Sequence, residues 1–172
     1  MNKIFNCLLP SITCYFVFTV NLSAQTGQHD TSFFSTNLNL NNGKNIQLIN
    51  LKGKIILLDF WYRGCLPCLK AIPDLIELQE EFKNDLVIIG INDIDTKEDV
   101  NDYYAYKKVN YLSTYKSGVN ISKKLKINAF PTTIIIDQSG EVAVTESGFQ
   151  KGTFKKSLRK NIKKLIKQKG LK

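Results

Sequence analysis

The sequence predicts an α/β sandwich, in which the strands of one sheet are covered by helices on both sides. Two short apolar runs, at 55–61 and 86–91, have the composition of buried strands, and a helix is predicted after each of them. A hairpin pattern and an amphipathic helix end the chain. The 172 residues, of which 43% are hydrophobic and 23% charged, are enough for one globular domain with its own core.

Residues 1–24 are predicted to be a secretory signal peptide, which leaves 25–172 as the folded domain. Lys3 supplies positive charge, an apolar run follows at 8–20, and the small Ala24 precedes the expected cleavage point. The apolar run is short for a membrane span, which needs about 20 apolar residues. An uncleaved anchor is the alternative, and membrane contact is expected only in that case. Export implies an oxidising compartment, and the expected location is the bacterial periplasm.

The first elements of the domain are predicted to be a β-hairpin and a central strand. Segments 33–40 and 46–51 flank residues 41–44, whose Asn-Gly pair is typical of a hairpin turn. The strand at 55–61 is apolar apart from Asp59, as expected for a strand covered on both faces.

A helix is predicted to begin near Cys65 and to bend at Pro73. After the second strand, at 86–91, Thr96 and Asp99 provide the capping pattern of another helix. The apolar positions of the first helix recur at helical spacing and are Leu69, Ile72, Leu75, Ile76 and Phe82.

The last third of the chain is predicted to contain a short helix, a hairpin and a final helix. Residues 119–125 form the short helix, and the β-branched run 132–136 is the first strand of the hairpin. A turn at 137–140 leads to the return strand at 141–145. The final helix has one apolar stripe, made of Phe154, Leu158, Ile162, Leu165 and Ile166.

Cys65 and Cys68 are the candidate working groups. The other two cysteines, Cys7 and Cys14, lie in the predicted signal peptide. Two cysteines spaced by two residues at a helix start can close a disulfide, and the positive end of the helix dipole stabilises a thiolate there. Cys65, at the exposed end, is the expected nucleophile, and the shielded Cys68 is expected to attack the mixed disulfide. Arg63 is expected to add positive potential beside Cys65.

Other uses of a cysteine pair fit less well. Zinc needs about four ligands, and the predicted mature chain offers His29 as its one further soft ligand. Haem attachment needs histidine directly after the second cysteine, where Leu69 stands. A purely structural disulfide across so short a loop stabilises weakly, because it constrains little of the unfolded chain. Thiol–disulfide exchange is therefore favoured, and the structural disulfide stays open as the alternative.

The net charge of +9 is concentrated at one end of the chain. Residues 151–172 carry ten basic and no acidic side chains, whereas the rest of the predicted mature chain carries 13 basic and 15 acidic ones. Such a segment can contact nucleic acid or anionic lipid. A solvated helix face, with cations near a helix C-terminus, is favoured instead, and no nucleic-acid partner is expected.

Several motifs resemble the thioredoxin superfamily. Residues 58–68 are similar to its active-site strand and turn, 128–133 to its cis-proline loop, and 139–142 with Gly148 to its closing hairpin. The signal peptide, the N-terminal hairpin and residues 51–54 look most like the TlpA-like branch. Its members are extracytoplasmic thiol–disulfide oxidoreductases related to cytochrome c maturation proteins and to the peroxiredoxin-like AhpC/TSA group. The resemblance implies a thioredoxin fold, in which helices flank a central mixed β-sheet and an N-terminal hairpin is added.

The resemblance also implies roles for two acidic residues. Asp59 would accept the proton of Cys68, because burial raises the pKa of a carboxyl group towards neutrality. Asp95, rather than Asp93, best fits the acidic position that TlpA-like proteins often carry near the cysteines. A partly exposed strand-end carboxylate and ordinary loop acidity are the respective alternatives.

A substrate-binding loop is implied at Pro131. A cis bond before this residue presents a backbone edge that can pair with an extended segment of the substrate. Phe130, Pro131 and Thr132 are expected to contact that segment, together with Trp61 beside the site. A trans proline at a strand start is the alternative.

The expected function is reduction of protein disulfides outside the cytoplasm. No bound cofactor is required, and a membrane-bound dithiol donor is implied if the protein works as a reductase. Gly64 stands where thioredoxins usually have tryptophan, and Leu66-Pro67 where thioredoxin has Gly-Pro, so the direction of electron flow stays open. The alternatives are a disulfide oxidase or isomerase, a peroxide reductase and a non-catalytic binding module.

Overall fold

The computed structural model describes residues 31–116 and 121–169. The predicted signal peptide lies outside the described residues, and so do Cys7, Cys14 and His29. Among the described helices, none is both long and apolar enough to cross a membrane.

Seven strands and four helices make up the described part of the chain. The strands are β1 (Asn37–Asn39), β2 (Asn45–Gln47), β3 (Ile55–Phe60), β4 (Leu86–Ile91), β5 (Leu112–Ser113), β6 (Thr132–Ile136) and β7 (Val142–Ser147). The helices are α1 (Leu66–Glu81), α2 (Lys97–Lys107), α3 (Ile121–Lys124) and α4 (Phe154–Lys169). Two 3-10 helices, Thr31–Ser35 and Leu48–Leu51, flank the first hairpin.

Five strands form one mixed sheet in the order β5-β4-β3-β6-β7, and β1 and β2 form a separate antiparallel hairpin. Strand β3 lies at the centre, parallel to β4 and antiparallel to β6. The outer pairs are β4 with β5, which are parallel, and β6 with β7, which are antiparallel. The mixed sheet and the added N-terminal hairpin confirm the predicted architecture.

Two apolar clusters cover the faces of the sheet. All six residues of β3 are buried, and their side chains point alternately to one face and the other. Leu57 and Trp61 pack with residues of α1, α2 and α4 and with the two cysteines. Leu58 packs on the opposite face with the N-terminal hairpin and its 3-10 helices. Because Asp59 lies between Leu57 and Trp61 in this alternation, its side chain points to the face that carries α1.

The long apolar strands and the capped helix agree with the sequence prediction. Strands β4 and β6 have the predicted bounds, 86–91 and 132–136. Helix α2 begins after Thr96, and the side chains of Thr96 and Asp99 form the predicted reciprocal capping box.

The short elements differ from the prediction. Strands β1 and β2 have three residues each, because the buried Phe33 and Leu48 beside them turn into the core through 3-10 helices. Strand β5 is not among the predicted strands, since its two residues are too short to show a period. Helix α3 covers Ile121–Lys124 of the predicted 119–125, and residues 117–120 lie outside the described part.

Helix α4 packs on α1 through its apolar stripe and through ion pairs. Lys155 Nζ lies 3.3 Å from Asp74 Oδ1 and 2.6 Å from Glu77 Oε2. Arg159 Nε lies 2.7 Å from Glu81 Oε2. These pairs are partly exposed, so each stabilises the fold by about 1 kcal/mol or less. The basic face of α4 is therefore partly neutralised by the acidic side chains of α1.

Candidate active site

The cysteine pair lies at the start of α1. Cys65 is the N-cap residue, forms a disulfide with Cys68, and its Sγ accepts a hydrogen bond from the backbone N–H of Cys68 at 3.2 Å. Pro67 stands in the first helical turn, where the missing N–H leaves no bond unmade. Cys65 is 5% exposed and Cys68 is 1% exposed. Cys68 is the more shielded, as predicted, but Cys65 is also largely buried when the pair is oxidised.

Aromatic and apolar side chains surround the pair. The rings of Tyr62 and Phe130 meet edge to face, with centroids 5.3 Å apart, and the peptide bond between Phe130 and Pro131 is cis. The Thr132 hydroxyl donates to the Ala129 carbonyl at 2.9 Å and is buried. Of the three loop residues predicted to contact the substrate, Phe130 is half-buried, whereas Pro131 and Thr132 are buried.

Leu66, between the two cysteines, is 62% exposed and is absent from the predicted substrate-contacting residues. Its position between two working cysteines is the sequence signal that would have identified it. A large apolar side chain is thus exposed to water beside the disulfide.

Trp61 lies behind the site. Its side chain is fully buried, its Nε1 donates to Ser113 Oγ at 3.0 Å, and its ring stacks on Tyr104 with centroids 5.3 Å apart. The structure does not place Trp61 at a surface that a substrate could reach. Trp61 is buried because it lies on the face of the sheet that α1 and α2 cover.

Asp95 holds the active-site turn to the loop after β4. Its Oδ2 accepts hydrogen bonds from the backbone N–H of Arg63 and from Asn92 Nδ2, both at 2.7 Å. The guanidinium of Arg63 forms an ion pair with Asp99 of α2, so the positive charge of Arg63 is directed at Asp99 and not at Cys65. Asp93 instead accepts from the backbone N–H of Ser122. Of the two candidate acids, Asp95 is the one that contacts the active-site turn.

Asp59 is buried in the middle of β3. It is 1% exposed and lies across from Gly90 of β4 and Thr133 of β6. Tyr111 donates its hydroxyl to Asp59 Oδ2 at 3.4 Å, and Oδ1 has no hydrogen-bond partner among the described residues. Burial raises the pKa of Asp59 to about 7, and the hydrogen bond from Tyr111 opposes that rise. The burial predicted for this carboxyl is confirmed.

Two tyrosines that were not predicted as site residues complete this buried polar cluster. Tyr104 and Tyr111 are each 5% exposed, and their rings meet edge to face with centroids 5.6 Å apart. Burial holds the pKa of both phenols well above the usual value, so both hydroxyls keep their protons at neutral pH. A Cβ at Gly90 would lie 2.6 Å from both the Tyr104 hydroxyl and Ser113 Oγ. The glycine inside an apolar strand was the available sequence signal of this close approach.

The Tyr111→Phe substitution is expected to raise the pKa of Asp59 above about 7. It removes the one hydrogen bond that favours the charged carboxylate and leaves the effect of burial unopposed. Carboxyl-carbon NMR titration of the oxidised protein measures the change, with Tyr106→Phe as the control because Tyr106 is 77% exposed. An unchanged or lower pKa would show that the hydroxyl does not act on Asp59.

Asp59 is also expected to make the fold less stable as the pH rises. Its pKa is raised from 3.8 to about 7 on folding, so the folded state holds a proton that the unfolded state releases. The stability present below pH 4 is therefore lost progressively up to about pH 7, by about 4 kcal/mol at most. Asp99 has the opposite effect on stability. Hydrogen bonds from Thr96 lower its pKa, so its contribution to stability is lost as the pH falls, below the range in which Asp59 acts. Urea unfolding from pH 4 to 8 tests this, and Asp59→Asn should flatten the profile.

No three histidine, cysteine, aspartate or glutamate side chains within 31–116 and 121–169 are grouped in a way that could hold a metal ion.

Comparisons with known proteins agree with this geometry. A family model described as thioredoxin-like matches residues 53–142. Thiol-disulfide oxidoreductase ResA of Bacillus thuringiensis subsp. konkukian is 30% identical over 149 residues, which cover 86% of this chain and 83% of that protein. The ResA protein of Bacillus cereus is 31% identical over 119 residues, which cover 69% of this chain and 67% of that protein.

A solved structure from Chlorobium tepidum, of a thiol:disulfide interchange protein DsbE, shares the fold. It superposes with a TM-score of 0.70 at 21% identity and covers 76% of this chain and 92% of that one. The mixed sheet, its flanking helices and the cysteine pair at the start of α1 thus form a thioredoxin fold, as the sequence motifs implied.

Proposed function

Because this chain belongs to the thioredoxin-like family and is a thiol–disulfide oxidoreductase, we propose that it reduces protein disulfides outside the cytoplasm through Cys65 and Cys68. The observation that carries the proposal is the placement of Cys65 Sγ at the helix N-terminus, where it accepts a hydrogen bond from the backbone N–H of Cys68. That donor and the helix dipole favour a thiolate over a thiol at Cys65.

The reaction is two successive exchanges at sulfur. The Cys65 thiolate attacks one sulfur of the substrate disulfide, a mixed disulfide forms, and the other substrate sulfur leaves as a thiolate. Asp59 takes the proton of Cys68, whose thiolate then attacks Cys65 Sγ. The second substrate thiol leaves, and the two electrons lost by the cysteines as they form the Cys65–Cys68 disulfide reduce the substrate. A membrane-bound dithiol donor would restore the reduced pair, and no bound cofactor is needed.

Phe130, Pro131 and Thr132 are proposed to bind the substrate through the backbone edge of their loop. The half-buried Phe130 and the exposed Leu66 next to the disulfide support this arrangement. Side-chain contact is expected from Phe130 and Leu66, since Thr132 is buried. Asp95 is proposed as a positioning residue, because its carboxylate holds the Arg63 backbone and so the turn that leads into Cys65.

The equilibrium redox potential of the cysteine pair tests the direction of electron flow. For a reductase we expect a value near that of thioredoxin, about −270 mV, when the protein is equilibrated in dithiothreitol redox buffers. A value near that of the strong oxidant DsbA, about −120 mV, would assign the protein to the oxidases instead. Turnover with hydrogen peroxide, which we do not expect, would favour a peroxide reductase.

N-terminal sequencing of the protein from its native host tests the proposed location. We expect the mature chain to begin at about Gln25 and to appear in the extracytoplasmic fraction, because residues 1–24 have the layout of a cleaved signal peptide. Recovery of a chain that retains Met1 in the membrane fraction would show that the segment is an anchor.

A further inference from the structure

A basic groove of about 930 Å³ lies between α1 and the start of α4, which we call the α1–α4 groove. Its volume is in the range of protein sites that bind ligands. Pro73 and Phe149 contribute apolar surface to it. Its charged lining residues are Lys70, Lys151, Lys155, Lys156 and Arg159, with Asp74 as the single acid.

The positive charge of the groove is only partly neutralised within the protein. Lys155 pairs with acidic side chains of α1, and Arg159 does the same. Lys70, Lys151 and Lys156 are exposed and form no ion pair with any residue in the described part of the chain. Three unpaired cations around an apolar surface are complementary to a ligand that carries both negative charge and an apolar group.

The groove is continuous with the site of exchange. Lys70 follows Cys68 by two residues on the same helix. Phe149 follows Gly148, whose backbone N–H donates to the Pro131 carbonyl at 2.7 Å. The two segments that hold the disulfide and the cis-proline loop therefore also line the near end of the groove.

We propose that the α1–α4 groove binds an acidic segment, bearing at least one large apolar side chain, of the protein whose disulfide Cys65 attacks. The acidic side chains pair with Lys70, Lys151 and Lys156, and the apolar side chain packs on Phe149 and Pro73. An extended segment rises about 3.3 Å per residue, so a few residues connect the groove to the reacting disulfide. The inference rests on the exchange of protein disulfides proposed above and adds which substrates are preferred.

A protein segment fits the groove better than a membrane surface does. The three lysines surround a concavity with an apolar floor, whereas lipid headgroups present a broad surface that contacts exposed faces. The apolar residues Phe154, Leu158 and Ile162 of α4 are buried in the core, so this helix has no free apolar stripe to insert into a bilayer.

Binding of a cysteine-free octapeptide of alternating glutamate and phenylalanine to the oxidised full chain tests the proposal. The groove variant carries Lys70→Glu, Lys151→Glu and Lys156→Glu. The matched control carries Lys160→Glu, Lys164→Glu and Lys167→Glu, at exposed positions of α4 that do not line the groove. Calorimetry should show about tenfold or greater weakening in the groove variant and less than about twofold in the control, because only the former sets like charges against the peptide.

A kinetic measurement separates this inference from the function itself. The groove variant should reduce a disulfide-bridged peptide rich in glutamate and phenylalanine more slowly, and should reduce the neutral 2-hydroxyethyl disulfide at the wild-type rate. Failure of the wild-type protein to reduce either compound would refute the reductase, whatever the peptide binds. Equal weakening of peptide binding in both triple variants would refute the groove, since net charge alone would then explain it. Binding of phosphatidylglycerol vesicles, lost only in the groove variant and without peptide binding, would assign the surface to a membrane.

Discussion

Replacement of Cys65 with serine is expected to abolish the reduction of insulin disulfides by this protein. The first exchange requires a sulfur that is both a thiolate at neutral pH and accessible to the substrate. Cys65 occupies the N-cap position, where the Cys68 backbone N–H points at its Sγ, and it is the less shielded of the two cysteines. A serine hydroxyl has the same position but no comparable nucleophilicity, and the remaining Cys68 is almost inaccessible.

Insulin precipitation in the presence of dithiothreitol measures this loss against the rate without enzyme. Cys68→Ser is the matched control, because it removes the same number of thiols but leaves the attacking one. That variant should still form mixed disulfides and should accumulate them, which allows the native substrates to be isolated from the host and identified. Turnover of insulin by Cys65→Ser at the wild-type rate would refute the assigned order of attack.

Asp59→Asn is expected to slow the release of substrate from Cys65 by about 100-fold or more, the usual effect of removing a general base. The pKa of Asp59 is about 7, so near neutral pH this carboxylate can accept a proton and pass it on. Its side chain points to the face of the sheet on which Cys65 and Cys68 pack. The first attack should be nearly unchanged, because the helix start and not Asp59 stabilises the Cys65 thiolate.

Stopped-flow measurement on a mixed disulfide at Cys65, from pH 6 to 9, separates the two steps. The wild-type release rate should rise through about pH 7 as Asp59 ionises, and the rise should disappear in Asp59→Asn. Asp102→Asn is the matched control, since it makes the same substitution at an exposed position of α2 outside the site. Equal release rates in wild type and Asp59→Asn across this range would show that Asp59 is structural and would shift attention to Asp95.

Local signals were enough to predict much of the fold and the centre of the site. The apolar runs of β4 and β6, the capping box of α2 and the cysteine spacing at a helix start each lie within a few neighbouring residues. Such features depend on backbone propensity and side-chain period, which the sequence displays directly. The cis bond before Pro131 was predicted from the motif around it and is present in the structure.

Features that depend on contacts between distant segments could not be predicted in this way. Tyr111 reaches Asp59 across 52 residues of chain. Arg63 was expected to act on Cys65, but α2 presents Asp99 to it, and no local pattern showed that α2 would lie there. Trp61 was expected near the substrate, and its burial follows from the packing of Tyr103 and Tyr104 against its ring.

The concentration of positive charge in α4 has a consequence for the order in which the structure forms. Cations four residues apart occur five times along this helix, at 155/159, 156/160, 159/163, 160/164 and 163/167. Each such pair destabilises an isolated helix by roughly 0.2–0.5 kcal/mol. The segment therefore becomes helical only when the acids and apolar surface of α1 are available to it, and its amide hydrogens should exchange with solvent before those of β3. Since α4 contributes Phe154, Leu158, Ile162 and Leu165 to the cluster that encloses Cys68, that cluster is complete only once α4 has packed on α1.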